Sequence, residues 1–163
     1  MLNEAISVFR MLRGYGDGLV ADIVAADFCK QPVAGMNHPA WIIGHLAVAA
    51  DRHATFVGCE AQLADWKEQF GFGSEVSSEA SAYPGKDELM AAWHSAHDRY
   101  VAAVQAAPPE LLAGPNEYVR PEALPTLADF ITFSMTGHTA THLGQLSAWR
   151  RADGRRSSEG YFP

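Results

Sequence analysis

PTLADFITFSMTGHTATHLGQLSAWRRADG, residues 125–154, reads as one long amphipathic helix. Thr126 is a good N-cap, and Asp129 three residues on makes a variant of the capping box. The helix is expected to run to about Arg151, with Gly154 just beyond it. Arg150 and Arg151 in the last turn suit the negative end of the helix dipole. Ile131, Met135, His138, His142, Gln145 and Trp149 share one stripe at spacings of three and four. Ile131 and Met135 are apolar, so the stripe faces a core and carries two histidines inward. Residues four apart on a helix hold their Cβ atoms roughly 5–6 Å apart. Two imidazoles so placed can grip one metal ion from adjacent turns. The intervening Thr139, Ala140 and Thr141 are small, which argues against simple packing. No glutamate follows His138, so this is not the HExxH of zinc proteases. An HxxxH pair alone is also common on solvated faces, and its meaning depends on what lies opposite.

Working outward, three more long helical patterns are separated by Gly and Pro punctuation. The first runs from Asn3 to about Ala26, with a seam of Ala5, Phe9, Leu12, Gly16, Leu19, Ile23 and Ala26. Gly14, Gly16 and Gly18 each weaken it by about 1 kcal/mol against Ala, leaving room for a kink. Gly16 lies on the seam and allows a close helix approach. The second starts at Asn37 as N-cap, with Pro39 in its first turn, and runs to about Val57 before Gly58. The third spans Lys86 to Ala107 on a seam of Leu89, Trp93, Ala96 or His97, Tyr100 and Val104, and Pro108 and Pro109 stop it. Between them, Glu60–Phe70 suggests a short helix and Glu110–Leu112 one helical turn. Nothing reads as a strand. Four long helices with long crossover connections predict an all-α four-helix bundle. At 163 residues the simplest organisation is a single domain over residues 1–163.

Composition limits the function. Apolar residues make up 48% and charged residues 19%, with a formal net charge of -7. That balance lacks the basic footprint of a nucleic-acid binder. No unbroken apolar h-region opens the chain, and Pro39–Ala50, the longest weakly polar stretch, is far shorter than a membrane span. Cys29 and Cys59 stand alone, which reads as two reduced thiols in a cytoplasmic protein. Seven histidines in so short a chain are the unusual feature.

The second helix supplies the histidine opposite the pair. In HPAWIIGHLAVAADRH, Trp41, His45, Val48 and Arg52 form one stripe among apolar neighbours. A lone histidine there is more often a core residue with one hydrogen bond. Facing His138 and His142 across a bundle, however, His45 completes a set of three imidazoles that leaves metal positions open for water or substrate. His38 reads as a surface or capping residue. His53, about 80° round from His45, reads as exposed, with contact behind a metal ligand as the lesser option. His94 and His97 offer a fourth ligand, His97 being the better placed, although a local bond from His94 to Asp98 is the simpler account. Gln145 can support a ligand from behind. Arg150, Arg151, Arg155 and Arg156 read as a solvated, dipole-complementing cluster rather than an anion site.

With these residues in view, the chain resembles the DinB/YfiT-like family of metalloenzymes. The matching pieces are NHPAWIIGHLA at 37–47, HTATHLGQLSAWRRADG at 138–154 and DWKEQFGFGS at 65–74. The resemblance implies an up-down-down-up bundle and a three-histidine metal site at His45, His138 and His142. It also implies a metal-dependent S-transferase or isomerase that uses a low-molecular-weight thiol on a small-molecule substrate, commonly as a homodimer. Imidazole suits zinc, nickel, iron and copper alike; zinc or nickel is expected first as the divalent metal ion, with iron or manganese as further candidates. No catalytic acid or base is named by the residues. A non-catalytic helical dimer or ligand- or metal-binding module is the alternative. Ligand histidines must be neutral, so metal affinity is expected to fall as pH drops through about 6.5.

Overall fold

The structure, a computed structural model, describes residues 2–156. It is all-helical, and no strand occurs among the described residues. Four long helical segments carry the fold: α1 (Asn3–Val20), α2 (Pro39–Thr55), α4 (Lys86–Ala106) and a composite last segment. That last segment is α6 (Leu127–Phe133), a π-helical turn (Ser134–His138) and α7 (Thr139–Ala152) in unbroken succession. Two short helices, α3 (Lys67–Phe70) and α5 (Pro109–Ala113), sit in the long connections. No helix is long and apolar enough to cross a membrane among the described residues.

Side-chain contacts fix the direction of each segment. Phe9 meets His97, and Asp17 meets His94, so α1 and α4 are antiparallel. Arg150 reaches Leu19 and a Cβ on Gly16 would touch Leu143, so α1 and the last segment are parallel. Asn37 meets Gln145 while His53 meets Ser134, so α2 runs against the last segment. The order is therefore up-down-down-up, as the resemblance implied. Only α2 and α4 are consecutive and parallel, so residues 56–85 form the one obligatory crossover. The link of residues 107–126 joins antiparallel segments.

Local chemistry explains the element ends. The capping box forms: Thr126 Oγ1 accepts from Asp129 N at 3.1 Å, and Asp129 returns the bond to Thr126 N at 3.0 Å. Asp51, almost fully buried on α2, holds the start of the crossover by accepting from Gln62 N, Leu63 N and Arg99. Gly16 makes room for Trp93: a Cβ there would lie 2.3 Å from the indole. The three glycines do not break α1, which is continuous to Val20. It stops six residues short of Ala26, because the chain turns there through a 3-10 turn at Ala25–Asp27. Ile23 nevertheless stays in the core at 1% exposure.

Four expectations are corrected. His38, not Asn37, caps α2: its Nδ1 accepts from Trp41 N at 3.2 Å, and its Nε2–H donates to Ser77 O at 2.8 Å. It is fully buried rather than a surface residue. The Glu60–Phe70 helix shrinks to a 3-10 turn at Ala64–Trp66 followed by α3, since Asp51 captures the backbone of Gln62 and Leu63. The last helix is not uniformly α, for the π turn inserts between its halves. Finally, two of the four arginines are not solvated, while Arg151 and Arg156 are exposed as expected. Arg150 is buried, donating to Leu19 O at 2.7 Å and to both oxygens of Asp22. Arg155 bonds Asp27, Asp153 and Asp22 O. Together they tie the end of α7 to the loop after α1.

Candidate metal centre

His45 on α2 and His138 and His142 on the last segment converge. One ring nitrogen from each lies within 4.8 Å of the others, and no Asp, Glu or Cys joins the group among the described residues. His45 Nε2 and His138 Nε2 are 3.3 Å apart. Ring centroids are separated by 5.3 Å (His45–His138), 4.4 Å (His45–His142) and 4.6 Å (His138–His142).

Two of the three rings are oriented from behind. His45 Nδ1–H donates to Phe70 O at 2.7 Å, the last residue of α3, which leaves the Nε2 lone pair free. His142 Nδ1–H donates to Gln145 Oε1 at 3.1 Å, and the same oxygen accepts from Asn37 Nδ2 at 3.2 Å. Such outer partners fix the tautomer and raise ligand basicity at metal sites. Trp41 stacks flat on His45, centroids 4.8 Å apart and planes 9° apart, while its Nε1–H donates to Ser74 Oγ at 2.9 Å. The Phe70 ring lies against α2 at Gly44, where a Cβ would come within 2.2 Å of it. Gly44 therefore exists to admit Phe70, and Phe70 in turn holds His45.

Electrostatics favour neutral imidazoles. Burial, then the neighbouring His142 and His45, push His138 down to about 3. Burial and His45 push His142 to about 4, with Gln145 opposing. Burial lowers His45 too, offset by its bond to Phe70 O. The donor set thus suits a divalent ion: three neutral rings with free nitrogens turned to one point. Because His138 and His142 lie well below 6.5 and His45 is lowered too, proton competition for the site begins at more acidic pH than the unperturbed rings suggested.

The other histidines are elsewhere or otherwise engaged. His97 is buried at 1% exposure, stacked on Phe9 at 3.9 Å and donating to Phe9 O at 3.2 Å, so it is no spare ligand. His94 bonds Asp17 across the helix interface at 2.7 Å rather than Asp98, which pairs with Arg13. His53 is not the exposed residue its helical angle suggested. Its Nδ1 is 2.7 Å from Ser134 Oγ, and its ring stands perpendicular to Phe130 and to His138, at 4.9 and 6.0 Å. The π turn brings Ser134 to it, a feature without a sequence signal. Phe70 O was missed as well, because a backbone carbonyl leaves no mark in the residue pattern. Both cysteines are free, Cys29 buried and Cys59 half-buried.

No curated protein matches the chain. A family model does, that of the DinB superfamily, and its match runs over residues 9–146. Spanning most of the chain and taking in His45, His138 and His142, this match shows that the chain belongs to the DinB superfamily.

Proposed function

We propose that the chain is a divalent-metal-dependent enzyme whose ion is held by His45, His138 and His142, acting with a low-molecular-weight thiol on a small electrophilic substrate as an S-transferase or isomerase. The convergence of three neutral ring nitrogens carries this reading. A bound divalent ion favours the thiolate form of a coordinated thiol and polarises a carbonyl, which is the chemistry such a site supplies. The chain's own residues do the rest. Phe70 O and Gln145 keep two rings in the tautomer that presents Nε2. Trp41 walls one face of His45. Zinc and nickel are the first candidates, then iron and manganese. The proposal includes a homodimer in the cytoplasm, with which two unpaired cysteines are consistent.

The second reading is a metal-holding helical module without turnover. It is favoured by the absence of any carboxylate or thiol beside the three rings among the described residues. The two readings separate on a screen of metal-loaded protein with thiols and electrophilic acceptors such as epoxides and unsaturated acids. Turnover that disappears in His45→Ala supports the enzyme. Metal binding without turnover over the whole panel supports the module.

A further inference from the structure

Two of the three converging rings have a partner behind them, and the third does not. His45 gives its Nδ1–H to Phe70 O and His142 gives its own to Gln145. For His138 the sole hydrogen-bond contact among the described residues is Nε2 to His45, so its Nδ1 is without a protein partner there. His138 also borders a cavity of about 10 Å³ in the bundle interior. The polar residues around it are His53, Tyr100, Ser134 and Thr139, and the apolar lining includes Phe9 and Trp93. A cavity of that volume holds one water molecule when two to four polar groups face it.

The polar wall has a direction. Tyr100 O–H donates to Ser134 Oγ at 3.4 Å. Ser134 Oγ is 2.7 Å from His53 Nδ1. Thr139 spends its hydroxyl hydrogen on Ser134 O at 3.1 Å. With Tyr100 as donor, the Ser134 hydroxyl passes its own hydrogen to His53. His53 and His138 stand edge to face with centroids 6.0 Å apart, too far for a direct bond and suited to a bridge through one molecule of water.

Resting on the metal reading above, we propose that His53 is a positioning residue for His138: with Ser134 and Tyr100 it holds one buried water that accepts the His138 Nδ1–H. This water does for His138 what Phe70 O does for His45 and Gln145 for His142. It completes the outer set of hydrogen bonds around the three ligands. His53 acts through His138 and touches neither ion nor substrate.

The test has two arms. In the first, Co(II) affinity and visible spectrum are measured for the wild type, His53→Ala and His53→Gln, with folding checked by circular dichroism. Loss of an outer partner weakens metal binding about 10–100-fold. His53→Ala is expected to show that loss and an altered d–d band, and His53→Gln, which keeps a hydrogen-bonding group, to recover most of both. Wild-type affinity and spectrum in a folded His53→Ala overturn the proposal. The second arm serves if His53→Ala does not fold. A high-resolution crystal structure of the wild type is expected to show one ordered water bonded to His138 Nδ1 and to His53 or Ser134. A dry cavity, or a protein group bonded directly to that nitrogen, overturns it. Failure of the wild type to bind Co(II) at all overturns the metal reading itself, separately from the water.

Discussion

Replacing Gly44 by alanine adds a single methyl group, yet it should act on the metal centre through Phe70, which lies against Gly44 and holds His45. Alanine in a helix interior ordinarily gains about 1 kcal/mol over glycine. Here the new Cβ would lie 2.2, 2.3 and 2.6 Å from three carbons of the Phe70 ring. That ring is completely buried and has nowhere to swing. Forcing an extra methyl into a filled core costs about 1–3 kcal/mol. With contacts this short the upper part of that range applies, for a net loss of about 1–2 kcal/mol and a Tm lower by about 3–6 °C. The larger effect is on the site. Phe70 must shift, and its carbonyl, 2.7 Å from His45 Nδ1, shifts with it. Zinc affinity should fall about 10–100-fold, the usual consequence of losing a ligand's outer partner. The assay pairs thermal melts of metal-free protein with a competition titration for zinc. Adding Phe70→Leu to Gly44→Ala frees space beside the new methyl and should recover affinity. A Gly44→Ala protein that melts higher and binds zinc as the wild type does would refute the chain of contact from Gly44 through Phe70 to His45.

Metal-free protein should lose stability in mild acid. His53, His138 and His142 are held near 3, 3 and 4 in the fold, while the unfolded chain protonates them near 6.5. The unfolded state therefore binds more protons below 6.5. The penalty vanishes well above that pH and grows as pH falls toward the folded values. At pH 5.5 each such histidine costs about 1.4 kcal/mol, so the three cost about 4 kcal/mol; urea melts at pH 7.5 and 5.5 differing by under about 1 kcal/mol would contradict this. Arg150→Ala should destabilise by about 1–3 kcal/mol, because it leaves Leu19 O without its donor in the interior, while Asp22, whose side chain is half exposed, regains water. Arg151→Ala, which among the described residues loses a bond to Ser147, should cost well under half as much in the same denaturant melts. Gln145→Ala should weaken zinc binding by roughly tenfold with little change in metal-free Tm, since it frees the His142 ring without opening the core. Equal affinity in the titration would remove Gln145 from the site.

The fold was legible where local chemistry is strong. Thr126 and Asp129 announced a helix start, Pro108 and Pro109 a stop, and the seam of α4 placed Leu89, Trp93, Tyr100 and Val104 in the core, where they are. The three converging histidines were legible because helical spacing fixes His138 against His142, and apolar neighbours turn His45 inward. What escaped depends on contacts distant in sequence. Arg150 looked like a dipole complement because its partners, Asp22 and Leu19, are about 130 residues away. His53 looked exposed because an ideal helical angle ignores what packs on it, and the π turn delivers Ser134 there. His97 sits on the seam of α4, but the seam meets Phe9 of α1 at that level instead of the three rings. Phe70 O holds His45 through a backbone atom, which any residue type could have offered. Side-chain periodicity finds ligands; it does not find the carbonyls and water-sized spaces that orient them.

The central claim is that His45, His138 and His142 hold a divalent ion. Elemental analysis of untagged protein, reloaded with zinc after stripping and desalted, tests it most directly, alongside the Tm of the same samples. The account predicts close to one ion per chain, a raised Tm on loading, and loss of both when His138 and His142 are replaced by alanine. Less than about a tenth of an ion per chain, with no shift in Tm from added zinc, nickel or iron, would contradict it, as ligand binding to the native state must raise stability.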